Sequence, residues 1–216
     1  MTVLPQELYV ALPESGKGPG VIILHAWWGL NNFIKELCQR LAQEGFVAAA
    51  PDLYHGEIAT IIPEAEKLRS KMKREQVSAD ILAAVEQIRQ SPALVSQNLG
   101  VIGFSLGAYW ALWLSLEKPD WIKAVTVFYG NRNADYSPAQ AAYLGHFAEV
   151  DDYVAASGVK KLEKGLKAAH RPVTFYAYPG TGHWFFESDR PDAYNAKAAQ
   201  LAWSRTVDFM QAQLGK

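Results

Sequence analysis

One serine of this chain stands where it could act as a nucleophile. It is the central residue of the run Gly103-Phe104-Ser105-Leu106-Gly107, between the apolar residues 99–102 and a segment, 106–116, rich in alanine and tryptophan. This order predicts a strand, a one-residue turn and a helix, with a positive φ at the serine. Glycines two residues away on each side would prevent Cβ collisions. The turn would expose the Ser105 hydroxyl and point the Leu106 N–H at the same space. This arrangement is typical of acyl-transfer chemistry, although the same pattern also occurs in ordinary glycine-rich loops.

A serine hydroxyl needs a neighbouring base, and histidine suits that role because its free pKa is about 6.5. His183 ends the run Pro179-Gly180-Thr181-Gly182-His183, which directly follows the last predicted strand, at 173–178. A loop in that position could bring the imidazole to Ser105, and the alternative is a loop histidine without a chemical role. The other four histidines are interpreted as strand-end, loop, core or surface residues: His25, His55, His146 and His170.

The base needs a carboxylate that fixes its tautomer, and the pair Asp151-Asp152 is the candidate. Aspartates before a predicted helix are commonly N-caps, so one of the two could cap the helix while the other reaches His183. The chain order Ser105, Asp151, His183 is that of α/β-hydrolases. The second backbone donor to an oxyanion is predicted at Trp27, after the apolar strand Val21–Leu24, with Leu106 as the first donor.

The elements that must position these residues alternate along the chain. Apolar or β-branched runs predict strands at 8–12, 21–24, 46–50, 99–102, 124–129, 143–147 and 173–178, with a glycine-rich turn at 16–20. Helical spacing of apolar residues predicts helices between them, and in the segment 64–90 the inward residues are predicted to be Ile81, Leu82, Val85 and Ile88. This alternation indicates an α/β fold with a mostly parallel sheet and helices on both faces. No repeat or linker divides the chain, so a single domain over 1–216 is expected.

Composition excludes several classes of protein. Half of the 216 residues are hydrophobic and 20% are charged, and the formal net charge is −1, so neither nucleic acid nor a membrane is expected as a partner. The one cysteine, Cys38, lies on an apolar helix stripe and suits a reducing compartment. No signal peptide is visible, and a cytoplasmic location is expected. No zinc-site spacing and no phosphate-binding or dinucleotide-binding glycine pattern is present, so no metal and no cofactor is expected.

Several segments together resemble the dienelactone hydrolase family of small α/β-hydrolases, from about Val21 to Leu214. The matching segments are 21–29, 33–36, 45–46, 50–54, 103–107, 127–130, 149–154 and 178–185. The resemblance implies an α/β-hydrolase fold without a large cap domain. It also implies that Ser105 is the nucleophile, His183 the base, and Asp151 rather than Asp152 the acid. Trp27 and Leu106 take the oxyanion positions.

The chain departs from the enzymes that gave this family its name. Those enzymes have cysteine in the elbow where this chain has Ser105, glutamate where it has Ala26, and arginine shortly after the histidine. Here that last stretch is Trp184-Phe185-Phe186-Glu187, which would repel an anion and accept an uncharged or apolar group. The candidate pocket residues are Trp28, Tyr54, Tyr129, Arg132 and Trp184. Core packing is the alternative for each aromatic, and Arg132 is the nearby cation that could still bind an anion.

The sequence therefore predicts a serine hydrolase that cleaves a small-molecule carboxylic ester or lactone, as a monomer or small homo-oligomer. Two alternatives stay open. One is a non-catalytic protein with the same fold that binds a small molecule or a protein. The other is an acyltransferase or thioesterase that uses the same three residues.

Overall fold

The structure, a computed structural model, describes residues 8–215. These residues form two compact units, with the boundary between Gln97 and Asn98. The expectation of one domain over 1–216 stays a prediction. No helix among residues 8–215 is both long and apolar enough to cross a membrane.

The first unit contains strands and helices in alternation. Its strands are β1 (Leu8–Ala11), β2 (Gly18–Leu24) and β3 (Val47–Pro51). They lie in the order β1-β3-β2, with β1 antiparallel and β2 parallel to β3. Its helices are α1 (Asn32–Gln43), α2 (Ile62–Lys71) and α3 (Arg74–Arg89). Both β2 and β3 are apolar and almost fully buried, which is typical of strands covered on both faces.

Helix α1 follows the predicted pattern closely. The Asn31 side chain accepts a hydrogen bond from the Ile34 N–H at its start. Its predicted apolar stripe is buried: Phe33, Ile34, Leu37, Cys38 and Leu41. The helix ends just before Gly45, which has a φ of +92°.

Two predictions for the first unit, the turn at 16–20 and the inward position of Leu82, were wrong in detail, whereas the segment 64–90 is mostly helical as predicted. The turn predicted at 16–20 is shorter, because β2 begins at Gly18, whose N–H donates to the Ala93 carbonyl at 2.9 Å. The helical segment 64–90 is two helices, because the chain is extended at Met72 and Lys73. Leu82 is only half-buried, and Ala84 takes an inward position of α3 instead.

The second unit holds the remaining strands, which are parallel and lie in the order β4-β5-β6-β7. They are β4 (Leu94–Phe104, with its first residues before the unit boundary), β5 (Ile122–Phe128), β6 (Ala142–Ala148) and β7 (Val173–Tyr178). The helices of this unit are α4 (Leu106–Glu117), α5 (Ala156–Ala168) and α6 (Ala196–Leu214). Each of the predicted strands and helices is present here.

The register of these strands decides where the functional loops begin. Phe104 pairs with Phe128, Phe128 with His146, and Ala148 with Tyr178. Since the strands are parallel and in step, the loops after β4, β5, β6 and β7 all leave from the same edge of the sheet. The predicted nucleophile, acid and base lie on three of these loops.

Candidate active site

The turn between β4 and α4 holds Ser105 in a strained conformation. Its φ is +51° and its ψ is −108°, as the glycine pattern predicts. The Ser105 N–H donates to the Phe128 carbonyl at 2.9 Å, and its own carbonyl accepts from the Ala108 N–H at 3.0 Å. A Cβ atom at Gly103 would lie 2.4 Å from the Gly107 carbonyl oxygen, so only glycine lets the strand and helix approach this closely.

Leu106 is the first residue of α4. The N–H groups at the start of a helix have no partner within that helix, and its dipole is positive there. The Leu106 amide therefore belongs to the part of the elbow that favours a developing negative charge.

Three of the predicted residues lie in hydrogen-bond contact. The Ser105 Oγ is 2.9 Å from the His183 Nε2. The His183 Nδ1 is 2.9 Å from the Asp151 Oδ1 and 2.8 Å from its Oδ2. The His183 and Asp151 side chains are only 3% and 8% exposed, so little water competes for these contacts.

These contacts fix the tautomer of the imidazole. An ionised carboxylate can only accept hydrogen bonds, so the His183 Nδ1 must carry the proton and donate it to Asp151. The Nε2 lone pair then faces the Ser105 hydroxyl and accepts its hydrogen bond. This is the arrangement in which an imidazole can remove a proton from serine.

Asp151 is oriented by its own loop as well as by the imidazole. Its Oδ1 accepts from the backbone N–H groups of Tyr153, at 2.9 Å, and Val154, at 2.8 Å. The expectation that one aspartate caps the helix while the other reaches His183 was therefore wrong in one respect. Asp151 both caps its turn and contacts His183, whereas the N-cap of α5 is Ala155, without a side-chain cap.

Two contacts join the loops that carry the acid and the base. The Glu149 carboxylate accepts from the Gly180 N–H at 2.8 Å, and the Val150 N–H donates to the Thr181 carbonyl at 3.2 Å. The Thr181 hydroxyl also donates to the Tyr178 carbonyl at 2.6 Å. The two loops that carry Asp151 and His183 are therefore joined by hydrogen bonds into one structure.

A buried carboxyl, that of Glu187, lies close to this group, and no sequence pattern indicated its surroundings. The Tyr129 hydroxyl donates to the Glu187 Oε1 at 2.7 Å. Both residues are buried, at 0% and 1% exposure. The expectation that Glu187 faces a substrate was wrong, because it packs inward. Burial is the main reason that its pKa rises to about 8, although the Tyr129 hydrogen bond opposes that rise.

The aromatic candidates of the second unit surround the imidazole. The Tyr129 ring centroid is 4.8 Å from that of His183, and the Trp184 ring is 4.9 Å from it. Tyr153, which sequence analysis had not singled out, packs 5.0 Å from the same ring and is half exposed. Both Tyr129 and Trp184 have positive φ values, 35° and 65°, so this part of the unit stores backbone strain.

Arg132 is placed beside an aromatic ring rather than beside a carboxylate. Its guanidinium carbon lies 4.3 Å from the centroid of the Tyr109 ring. Its Nε and Nη1 atoms are buried and have no hydrogen-bond partner among the residues that the structure describes. Its carbonyl accepts from the Tyr136 hydroxyl at 2.9 Å, which holds the loop after β5.

The remaining candidates lie in the first unit, on the loops after β2 and β3. Trp27 and Trp28 follow β2, are buried, and contact each other edge to face at 5.6 Å. Tyr54 follows β3, and its ring lies 5.3 Å from that of His25. His25 links the two loops, because it contacts the Ala26 carbonyl and accepts from the Leu53 N–H at 3.1 Å. Burial lowers the pKa of His25 and raises that of Tyr54.

The other residues that sequence analysis considered have structural surroundings. His146 is buried and hydrogen-bonded, His170 is exposed, and His55 lies 3.2 Å from Asp80. Cys38 is buried within α1, and burial raises the pKa of its thiol to about 12, so it is not a nucleophile. In the part of the chain that the structure describes, no three histidine, cysteine or acidic side chains are grouped to hold a metal ion.

Solved structures of similar shape define the class of this fold. A provisionally named dienelactone hydrolase from Klebsiella pneumoniae subsp. pneumoniae has a TM-score of 0.83 and 26% sequence identity, over 94% of this chain and 92% of that one. A dienelactone hydrolase-like promiscuous phosphotriesterase, P91, from metagenomic libraries has a TM-score of 0.86 at 21% identity, over 97% and 93% of the two chains. The chain therefore has the α/β-hydrolase fold, with a mostly parallel sheet and helices, and residues 8–215 include no large cap.

Sequence comparison then defines the family. The family model described as "Dienelactone hydrolase family" matches residues 7–214. Protein usf of Aquifex pyrophilus is 35% identical over 215 residues, covering 95% of this chain and 93% of the relative. A protein of Aquifex aeolicus, provisionally named a carboxymethylenebutenolidase, is 32% identical over 215 residues, which again cover 95% of this chain and 93% of the relative. This chain belongs to the dienelactone hydrolase family and is a hydrolase.

Proposed function

We propose that this hydrolase cleaves neutral carboxylic esters or lactones through an acyl-enzyme on Ser105. The observation that carries the proposal is the continuous hydrogen-bonded series from the Ser105 Oγ through the His183 imidazole to Asp151, with each contact between 2.8 and 2.9 Å. The strained elbow supports it, because that backbone conformation exposes a side chain at the edge of a sheet.

The steps follow from the positions of the protons. The His183 Nε2 takes the hydroxyl proton while the Ser105 Oγ forms a bond to the carbonyl carbon, and the carbonyl oxygen becomes an oxyanion. The Leu106 and Trp27 amides are proposed to donate to that oxyanion. The imidazolium then gives its proton to the leaving oxygen as the ester bond breaks. A water molecule, deprotonated by the same imidazole, hydrolyses the acyl-enzyme and restores the serine.

The substrate class is proposed from both the residues and the relatives. Two relatives, from Aquifex aeolicus and Bradyrhizobium, carry names that denote a carboxymethylenebutenolidase and a 2-oxo-3-(5-oxofuran-2-ylidene)propanoate lactonase, each given provisionally. Lactones are therefore the first compounds to test. The aromatic surroundings of His183 favour an uncharged substrate with an apolar group. We propose Trp28, Tyr54, Tyr129 and Trp184 as pocket residues, and Arg132 as the cation that would admit a negatively charged lactone.

The decisive experiment compares the wild type with Ser105→Ala on p-nitrophenyl acetate, a neutral five-membered lactone and a carboxylate-bearing lactone. We expect Ser105→Ala to lower kcat by on the order of 10⁴-fold or more, with an unchanged circular dichroism spectrum. Ser188→Ala is the matched control, because Ser188 is exposed on the segment after His183. Full activity in Ser105→Ala would disprove the nucleophile.

Labelling by a fluorophosphonate separates the alternatives. An active serine is expected to react in the wild type and not in Ser105→Ala. A folded wild type that neither reacts nor hydrolyses any ester would favour the non-catalytic binding protein. Faster turnover of thioesters, or transfer of the acyl group to an added alcohol in preference to water, would favour the thioesterase or acyltransferase.

A further inference from the structure

One buried, titratable group, which is hydrogen-bonded to Tyr129, has no part in the proposed steps. The Glu187 carboxyl is four residues after His183 and is held in a turn, where its N–H donates to the Trp184 carbonyl at 2.9 Å and its carbonyl accepts from the Arg190 N–H at 3.0 Å. This turn directs the side chain inward, to the Tyr129 hydroxyl at 2.7 Å. A carboxyl is seldom buried without a charged partner in contact, so its position calls for a reason.

The ring of the same tyrosine contacts His183, the proposed base. The Tyr129 ring lies 4.8 Å from the His183 ring, with an angle of 58° between the planes. The backbone of Tyr129 is also fixed, because its N–H donates to the His146 carbonyl at 2.8 Å. The Tyr129 side chain therefore lies between the Glu187 carboxyl and the His183 imidazole and contacts both.

We propose that Glu187 and Tyr129 are positioning residues for His183: the Glu187 carboxyl holds the phenol so that its ring supports the imidazole, and ionisation of that carboxyl strengthens His183 as a base. The inference deepens the proposed function and rests on it. Tyr129 would then contribute its ring to the site, because its hydroxyl is already donated to Glu187.

The expected direction follows from the charges around the carboxyl. Tyr129 and the pair Asp189 and Arg190 face Glu187, and beyond Tyr129 lie His183 and Asp151. Burial and the Asp189 charge raise the pKa of Glu187 to about 8, so the carboxyl is mostly neutral at pH 7. Above pH 8 the Glu187 carboxylate adds a second negative charge near the imidazole, in addition to that of Asp151. That charge stabilises the imidazolium that forms when Ser105 gives up its proton.

The test measures kcat against pH, from 6 to 10, for the wild type, Glu187→Gln and Tyr129→Phe. The wild type is expected to show a second rise of about 3- to 10-fold near pH 8, the effect of a coupling of half to one pKa unit. Glu187→Gln keeps the shape and an acceptor for Tyr129 but cannot ionise, so this rise should disappear while kcat at pH 7 changes by less than about 3-fold. KM should show no such step.

Tyr129→Phe provides a second test in the same experiment. It removes the hydrogen bond that favours the ionised carboxyl and keeps the ring, so the second rise should move to higher pH. Glu163→Gln is the matched control for loss of one carboxyl, because Glu163 lies on α5 and pairs with Lys167. A second rise that persists unchanged in Glu187→Gln overturns the inference, as does one that keeps its position in Tyr129→Phe.

Imidazole NMR separates this inference from the proposed function. The His183 ring signals of protein labelled with ¹⁵N-histidine are followed over the same pH range, with no substrate present. A displacement near pH 8 that is absent in Glu187→Gln supports the pair even if no ester is hydrolysed. Signals that titrate identically in the wild type and Glu187→Gln overturn it, even where activity depends on Ser105.

Discussion

Two buried histidines of the second unit have opposite surroundings. His183 contacts a serine hydroxyl at a strained turn and a carboxylate. His146, within β6, contacts two neutral hydroxyls in the core, with its Nδ1 2.8 Å from the Tyr178 Oη and its Nε2 3.0 Å from the Thr206 Oγ1. Both imidazoles are therefore buried and have a partner at each nitrogen. Burial and hydrogen bonding alone do not distinguish a base from a structural residue.

The tautomers explain the difference. The Thr206 hydroxyl donates to the Ala202 carbonyl at 2.8 Å, so it can only accept from His146, whose Nε2 must carry the proton. The Tyr178 hydroxyl accepts from Arg205 at 3.1 Å and donates to the His146 Nδ1. Both ring nitrogens of His146 therefore have a hydrogen-bond partner, and among residues 8–215 no carboxylate is paired with its ring. Burial, with a contribution from the Arg205 charge, lowers the pKa of His146 to about 3.

The largest predicted effect is that of removing the His183 imidazole. His183→Ala is expected to lower kcat for ester hydrolysis by on the order of 10⁴- to 10⁶-fold, because no group remains to take the serine proton. Single-turnover and steady-state rates with p-nitrophenyl acetate measure the loss. His146→Phe is the control, and it should keep kcat within about 3-fold. Comparable losses in both variants would show that the two histidines do not differ in this way.

The second prediction concerns the carboxylate that contacts His183 and has no counterpart at His146. Asp151→Asn should lower kcat by on the order of 10⁴-fold, because the amide can donate to Nδ1 and so place the proton on Nε2, facing Ser105. Turnover and the His183 ring ¹⁵N shifts measure the effect. Asp152→Asn is the matched control, since Asp152 is exposed. Equal losses in the two variants would contradict the choice of Asp151.

The third prediction uses the lowered pKa of His146. Its pKa is about 3 in the folded protein and about 6.5 when unfolded, so between these values the unfolded state binds more protons. This residue's contribution to stability is therefore present above pH 6.5 and falls on acidification, by up to ~1.4 kcal/mol per pH unit.

Urea denaturation at pH 7 and pH 4.5 measures this contribution. In His146→Phe we expect the loss of stability between the two pH values to be smaller than in the wild type, by about 2 kcal/mol. An equal loss in both proteins would mean that His146 is already protonated in the folded state at pH 4.5.

The smallest predicted effect concerns one hydrogen bond of His146, the bond to Thr206. Thr206→Val removes the acceptor of the His146 Nε2 proton with little change in volume. It should lower the free energy of unfolding by about 1–3 kcal/mol, since a buried donor is left without a partner. Urea denaturation measures that cost, and kcat per folded molecule should not change. A loss of turnover without a loss of stability would place His146 in the reaction instead.

The sequence was informative where local pattern decides structure. The glycines around Ser105 predicted the positive φ, and the apolar stripe of Phe33 to Leu41 predicted the buried face of α1. The contacts of His183 with Ser105 and Asp151 were expected from chain order and from the edge where parallel strands end. The catalytic roles of these residues, and of Trp27 and Leu106, stay predictions.

Contacts between distant segments could not be read in the same way. Glu187 and Tyr129 are 58 residues apart, and the sequence analysis interpreted the stretch Trp184 to Glu187 as one that repels an anion, which places the Glu187 carboxylate toward the substrate. The double use of Asp151 was also missed, since the cap and the contact with His183 depend on a backbone path between Val150 and Ala155 that composition does not specify. Both errors concern how one side chain turns, after its loop had been placed correctly.

The bridges from Glu149 to Gly180 and from Val150 to Thr181 have a consequence for re-engineering the enzyme. Because they couple the two loops, lengthening either loop alone to admit a bulkier compound would pull Asp151 and His183 out of alignment. A chimera with a relative should therefore exchange the loops that carry Asp151 and His183 together. Insertion points are better sought in loops that carry neither residue, such as the exposed turn at 14–17 in the first unit.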